Sequence, residues 1–215
     1  LTKVVVMMGA PGAGKGTQAM RLSRELGLPH VSTGDLFREN LSQGTPLGQE
    51  ARGYMDAGNL VPDALVIDML FDRVGRDDCA GGYLLDGFPR TVSQAESLAA
   101  RLGETPVTII DLEVADEIIV VRASGRLLCR GCEAIYHKSF SPPKGETCDA
   151  CGGELYQRDD DKAEVVAQRL VAYHEQTAPV VGWFRERGEV CAVDGSRSPD
   201  EVFAACAACM KEAVQ

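Results

Sequence analysis

The chain has little aromatic content (6%), one tryptophan and three histidines, and it is short of positive charge: 22 Lys and Arg face 32 Asp and Glu, a formal net charge of -10. Each shortage excludes something. No apolar run reaches the roughly 18–20 residues that span a bilayer, so no membrane partner is expected. The acidic balance repels polyanions, which argues against bulk nucleic-acid binding and requires a local cluster of Arg and Lys to draw in any anionic ligand. The histidines, His30, His137 and His174, are scattered and form no evident catalytic pair. Repeats and low-complexity tracts are absent, and Leu1-Thr2-Lys3 leads into an apolar run without a signal-peptide layout, from which a cytoplasmic protein is expected. At 215 residues and 45% hydrophobic content, one α/β domain with insertions can bury a real core.

What is present is concentrated first in Gly9-Ala10-Pro11-Gly12-Ala13-Gly14-Lys15-Gly16-Thr17, directly after Val4-Val5-Val6-Met7-Met8. Glycines that let successive N–H groups point inward, a helix start just beyond, and a lysine at this offset together read as a phosphate-wrapping loop. A nucleotide is the expected ligand. Gly16 stands where the general pattern has Ser or Thr, and the hydroxyl arrives one place later at Thr17.

Short β-branched apolar runs alternate with longer amphipathic segments, the signature of parallel strands fed by crossover helices. Strands are predicted at Lys3–Met8, Pro29–Val31, Tyr83–Leu85, Val107–Leu112 and Val190–Val193. Helices are predicted at Lys15–Leu26, Gly34–Gln43, Pro46–Ala57, Pro62–Arg73, Ser93–Leu102, Glu117–Ser124, Ala163–Arg187 and Pro199–Ala213. Two excursions interrupt the alternation: a helical one after Ser32-Thr33-Gly34-Asp35, rich in N-cap residues, and one over 125–162 with Pro142-Pro143, several glycines and almost no helical period. Ligands in open α/β sheets sit beyond the carboxyl ends of the strands, so both excursions are placed to close over the nucleotide.

Cys129-x2-Cys132 and Cys148-x2-Cys151 have zinc-ribbon spacing. Four thiolates complete a tetrahedron and leave no position for water, so the metal would be structural; iron, or two local disulfides, are the alternatives. Cys206 and Cys209 share one face of an Ala-rich helical segment and read as buried small side chains, while Cys79 and Cys191 read as ordinary core or near-core thiols.

Asp86-Gly87-Phe88-Pro89-Arg90 follows the run Tyr83-Leu84-Leu85 and sets a carboxylate at a strand end with a guanidinium just beyond. Asp86 is suited to hold magnesium through water, with Asp111 as rival. Arginines recur beside both excursions: Arg38 in the first, Arg126 at the entrance of the second, Arg158 at its exit and Arg169 on the helix after it. Guanidinium forks grip phosphate oxygens and keep their charge, and phosphoryl transfer is chiefly a matter of positioning and of matching negative charge.

With these motifs in order, the whole chain resembles the adenylate kinases, in their long form with a zinc-bearing lid. Ala57-Gly58-Asn59-Leu60-Val61-Pro62-Asp63, Tyr173-His174-Glu175-Gln176-Thr177-Ala178-Pro179 and Val193-Asp194-Gly195 belong to the same likeness. The resemblance implies a five-stranded parallel P-loop sheet flanked by helices (residues 1–31, 62–124 and 163–215), a helical monophosphate-binding insertion (32–61) and a zinc-bearing lid (125–162). It implies a monomer that moves a phosphoryl group between ATP and AMP, giving two ADP, with magnesium on the triphosphate. Gly12, Ala13, Gly14, Lys15, Gly16 and Thr17 would cradle the ATP phosphates, Ile135 and Tyr136 would flank the adenine, and Gly195 to Arg197 would lie behind it. Thr33, Arg38, Asn59, Leu60, Val61, Gly87, Phe88, Pro89, Arg90 and Gln94 would form the AMP site. Arg126, Arg158 and Arg169 would converge on the phosphates, with Asp160 and Asp161 tying the lid down. Val121 and Ala167-Gln168 depart from the family's usual charged residues at positions with no chemical role. Kinases for GMP, UMP or CMP are the nearest rivals, and a zinc-ribbon module that binds nucleic acid is the more distant one.

Overall fold

The computed structural model describes residues 3–188 and 190–212, with side chains through Met210 in the last helix. A five-stranded, all-parallel sheet runs in the order β2 (His30–Ser32), β3 (Gly82–Asp86), β1 (Lys3–Gly9), β4 (Val107–Glu113), β8 (Val190–Asp194). The strand interiors are apolar because both faces are covered. Alternate residues of β1 serve alternate layers: Val4, Val6 and Met8 join Leu85, Ile109, Phe88 and Phe184 on one side, while Val5 and Met7 join Leu22, Leu84, Ile110 and Val202 on the other.

Helices α1 (Lys15–Leu26) and α9 (Pro199–Glu212) cover the second layer, and α4 (Asp63–Val74), α5 (Val92–Leu102) and α8 (Ala178–Arg185) the first. Between β2 and α4 stand α2 (Thr33–Ser42) and α3 (Pro46–Asp56), started by the N-caps Ser32 and Thr45, whose side chains accept from Asp35 N and Gly48 N. After α6 (Asp116–Ser124) the chain leaves the sheet to form a small antiparallel one, β6 (Ile135–His137), β5 (Arg126–Cys129) and β7 (Leu155–Tyr156) in that order. Sequence periodicity does not predict these strands, which are two to four residues long.

The structure corrects three sequence expectations. The long predicted helix Ala163–Arg187 is interrupted: α7 (Ala163–Ala172) gives way to a wider π turn at Tyr173–Thr177 before α8. Hydrophobic spacing carries on through the turn, which hides it from a reading by period. The other corrections concern Cys191 and Cys209, which are not separate thiols: β8 and α9 pack together and the two sulfurs form a disulfide across an 18-residue separation, with Cα atoms 6.0 Å apart. Cys206 is a free, fully buried thiol as expected. The predicted end of the last helix, Ala213, lies outside the described residues.

Candidate active site

The phosphate loop begins where β1 ends. Gly9 has φ 128°, and a Cβ there would stand 2.6 Å from the Leu112 carbonyl oxygen on the neighbouring strand, so the tight exit from the sheet admits only glycine. Gly14 caps α1 without a side-chain acceptor, which leaves the first-turn N–H groups free for an anion. Lys15 donates from Nζ to the carbonyls of Gly9 (2.7 Å) and Ala10 (2.8 Å), within its own loop. Burial pushes its ammonium down to about 8; Asp86 opposes that shift, and Arg90, Arg169 and Arg126 add to it.

Asp86, at the carboxyl end of β3, is paired in register with Met7. Burial pushes its carboxyl up, but His30 (Nε2 3.5 Å from Oδ2) and Lys15 outweigh it, and the group is held below the ordinary range, hence ionised. Its Oδ2 would lie 3.4 Å from a Cβ on Gly16, so it faces the start of α1. An ionised carboxylate beside the phosphate loop suits a hard cation held through water. Asp111 differs: burial pushes its carboxyl up, Glu113 adds to this, and the nearest cation atom is Arg185 Nη2 at 3.8 Å.

A cleft open to solvent runs from this loop between the sheet and α2–α3. Thr33, Arg38, Asn59, Leu60, Val61, Gly87, Pro89, Arg90 and Gln94 line it, as do Lys15 and Arg169. Its floor is set by a cluster of hydrogen bonds: Thr33 Oγ1 to the Gly87 carbonyl (2.8 Å), Arg90 Nε to the same carbonyl (2.7 Å), and Thr177 Oγ1 to the Arg90 carbonyl (2.9 Å). Arg90 is pushed down to about 10 by burial, then by Arg169, with Asp86 opposing and Arg38 adding. Burial is the larger cause, and the like charges of Arg169 and Arg38 add to it, a charge that a polyphosphate would neutralise.

The remaining arginines stand at the base of the small sheet. Arg126 donates to both carboxylate oxygens of Asp161 (2.8 and 2.5 Å), a fully buried acid, and Arg169 donates to the Asp160 carbonyl (2.9 Å) and carboxylate (2.8 Å). Burial alone would lower Arg126, but the Asp161 bonds raise it; Arg158 and Arg169 are lowered by burial, and the Nε of Arg158 has no hydrogen-bond partner among the described residues. Arg158 Nη2 also lies 3.9 Å from Asp35 of α2, the same acid that pairs with Arg38, so the two excursions meet at one carboxylate. With phosphate bound, these forks can trade carboxylate for phosphate oxygens.

The four cysteines gather at the tip. Cys129 and Cys151 sulfurs are 3.4 Å apart, Cys132 and Cys148 3.5 Å, and all four lie within 4.8 Å of one another. Tetrahedral zinc with bonds of about 2.3 Å sets its sulfurs about 3.8 Å apart, so the donor set fits a metal ion. A Cβ on Gly153 would come 2.9 Å from Cys129 Sγ, and Gly131 N donates to that sulfur at 3.3 Å. The Tyr136 hydroxyl, 3.4 Å away, holds the Cys148 thiol down at about 6, whereas, against the Gly153 backbone N–H, the neighbouring sulfurs of Cys129 and Cys132 push the Cys151 thiol up to about 12.

Not every expected residue reaches the cleft. Tyr136 turns to Cys148 and accepts from Asp149 N (2.9 Å), Ile135 is 40% exposed on β6, and Arg197 pairs with Asp194 at 3.1 Å. Phe88 is buried in the core and does not line the cleft. Gly12, Ala13, Gly14, Gly16, Thr17, Arg126 and Arg158 adjoin the cleft without lining it. Sequence reading gave no role to Asp63, Thr91, Arg122 or His30. Arg122 donates to the Gly195 (2.7 Å) and Ser196 (3.1 Å) carbonyls and so fixes that loop beside the phosphate loop; its only sequence signal is a basic residue in the last turn of α6.

The family model described as adenylate kinase matches residues 7–189. The protein named adenylate kinase from Lachnospira eligens is 53% identical over 205 residues, covering 94% of this chain and 96% of that protein. Adenylate kinase of Carboxydothermus hydrogenoformans is 52% identical over 204 residues (93% and 95%), and that of Methanocella arvoryzae 50% over 203 (93% and 94%).

Proposed function

We propose residue roles that follow from one premise: the chain belongs to the adenylate kinase family and is an ATP:AMP phosphotransferase, interconverting ATP and AMP with two ADP. The triphosphate lies along Gly12–Thr17, where free first-turn N–H groups and Lys15 receive its oxygens. AMP occupies the cleft, its phosphate between Arg38 and Arg90 and its base against Val61 and Gln94. Arg126, Arg158 and Arg169 bridge the two substrates and match the charge that spreads over the transferring group, which is the larger part of catalysis for this chemistry. Ile135, Tyr136 and Arg197 border the ATP adenine from outside the cleft. Asp86, acting through water, would help hold the magnesium that accompanies the triphosphate, and that ion would supply charge neutralisation at the phosphoryl oxygens.

Residues 32–61 and 125–162 act as covers on the core formed by 1–31, 62–124 and 163–215. Water is a smaller and more abundant acceptor than AMP, so the covers must exclude it when both substrates are present. Zinc on Cys129, Cys132, Cys148 and Cys151 makes the second cover rigid. We place the enzyme in the cytoplasm as a monomer: four thiolate ligands persist under reducing conditions, in which the Cys191–Cys209 pair would stand as two thiols, and all the proposed groups come from one chain. Among the described residues no helix is long and apolar enough to cross a membrane.

The observation that carries this reading is the gathering of Lys15, Arg38, Arg90, Arg126, Arg158 and Arg169 in a protein of net charge -10. Arg90→Ala tests it: turnover of ATP plus AMP should fall by about 10²–10³, the usual cost of removing one fixed transition-state donor, while the melting temperature stays within a few degrees. Near-normal turnover would remove Arg90 from the reaction.

A further inference from the structure

Gln94 is 1% exposed, and the apolar wall of the cleft around it is made by Phe37, Met55, Val61 and Val66. Its two amide ends meet partners of opposite kind. Nε2 donates at 2.7 Å to Asp63 Oδ1, a carboxylate that only accepts, and Oε1 accepts at 2.8 Å from the backbone N–H of Arg90, which only donates. Turning the amide over would set oxygen against carboxylate and N–H against N–H. Asp63 is itself pinned, because Thr91 Oγ1 donates to its other oxygen at 2.8 Å and, as N-cap of α5, accepts from Gln94 N at 3.2 Å.

We propose that Asp63 is the positioning residue that makes this enzyme choose adenine over guanine, by locking the Gln94 amide in one orientation. The inference rests on the reading that Gln94 faces the monophosphate base. Each end of the amide keeps one unused valence, a lone pair on Oε1 and a hydrogen on Nε2. That pair matches the adenine edge, where the 6-amino group donates and N1 accepts. The guanine edge is the reverse, since O6 accepts and N1–H donates, and it would be met only by the flipped amide. A carboxylate at position 63 forbids that flip. Discrimination here comes from excluding the wrong arrangement as much as from binding the right one.

The test is the ratio of kcat/KM for AMP to that for GMP, with ATP as donor, in Asp63→Asn, Asp63→Ala, Gln94→Leu and the double variant Asp63→Asn/Gln94→Leu. Asparagine can accept or donate and so admits both amide orientations; alanine removes the acceptor and must move the ratio the same way if the asparagine variant folds poorly. The expected result is a fall of at least about tenfold in the AMP:GMP ratio, with GMP use rising in absolute terms and most of the AMP loss in KM. In the Gln94→Leu background, Asp63→Asn should leave the ratio within about threefold. A purely structural Asp63 would lower both substrates together and keep the ratio, which overturns the proposal. If Gln94→Leu itself leaves the ratio unchanged, the base-facing reading of Gln94 fails, and this inference fails with it. If Gln94→Leu collapses the ratio while both Asp63 variants keep it, Gln94 reads the base and Asp63 does not orient it.

Discussion

The two excursions from the sheet solve the same problem by different physics. Residues 32–61 hold two helices and the segment after them; Phe37 and Ala51 of the helices and Val61 beyond them are buried in the main hydrophobic cluster, with Leu36, Leu47 and Met55 packed against it. In residues 125–162 the buried apolar content is Leu128 and two of the four metal-site cysteines, Cys129 and Cys148. A small sheet of such short strands, with almost no core of its own, is marginal in water, so the second excursion needs a cross-link that the first does not. On the proposed reading one chain stabilises one excursion by burial and the other by coordination, and the two should fail under different insults.

Removing metal is the strongest way to separate them. Structural zinc sites supply about 10–16 kcal/mol of apparent folding free energy, so chelation, or Cys148→Ser, should abolish amide-exchange protection across β5–β7 and speed thermal inactivation. Protection in α2 and α3 should stay at its starting level; a loss shared equally by both excursions would break the contrast. The converse experiment is Phe37→Ala, which should cost about 3–5 kcal/mol, read as a lower melting temperature and lost protection in α2 and α3, with bound metal unchanged. The smallest effect concerns the cation between the two covers. Because the free-enzyme Lys15 sits at about 8, kcat/KM for ATP should fall tenfold per pH unit above that value, while kcat at saturation, with phosphate against the ammonium, holds to higher pH. For stability the sign is opposite: the folded value lies below that of free lysine, so the cost of burying this ammonium is full below about 8 and is relieved as pH rises toward the unfolded value. Neither excursion should change its exchange protection between pH 7 and 9; if either does, the limb belongs to the covers and not to Lys15.

Much of this was legible in the residues, and the reasons are local. β1 and its loop announce themselves because a continuous apolar strand, a positive-φ glycine and a helix start follow within a dozen positions. Paired Cys-x2-Cys turns are equally local. What hid from the sequence is what depends on tertiary meeting. Asp63 reads as a first-turn acid of α4, and only the fold brings it to Gln94 on α5. Tyr136 sits beside the cysteine pairs in sequence, but its hydroxyl direction toward Cys148 is set by the β5–β6 pairing. Cys191 and Cys209 lie on a strand and a helix, and no spacing rule joins them.

The wide turn at Tyr173–Thr177 has a rotational consequence. Arg169, Tyr173 and Thr177 all line the cleft, at successive steps of four residues. In an unbroken α-helix, eight residues at 3.6 per turn leave the last side chain about 80° off the face of the first. A turn that winds less per residue takes up that angular drift, so Thr177 swings back to reach the Arg90 carbonyl while α8 continues with its apolar flank against the sheet. One local unwinding thus keeps a single rod in phase with two surfaces at once, the ligand along its first half and the core along its second.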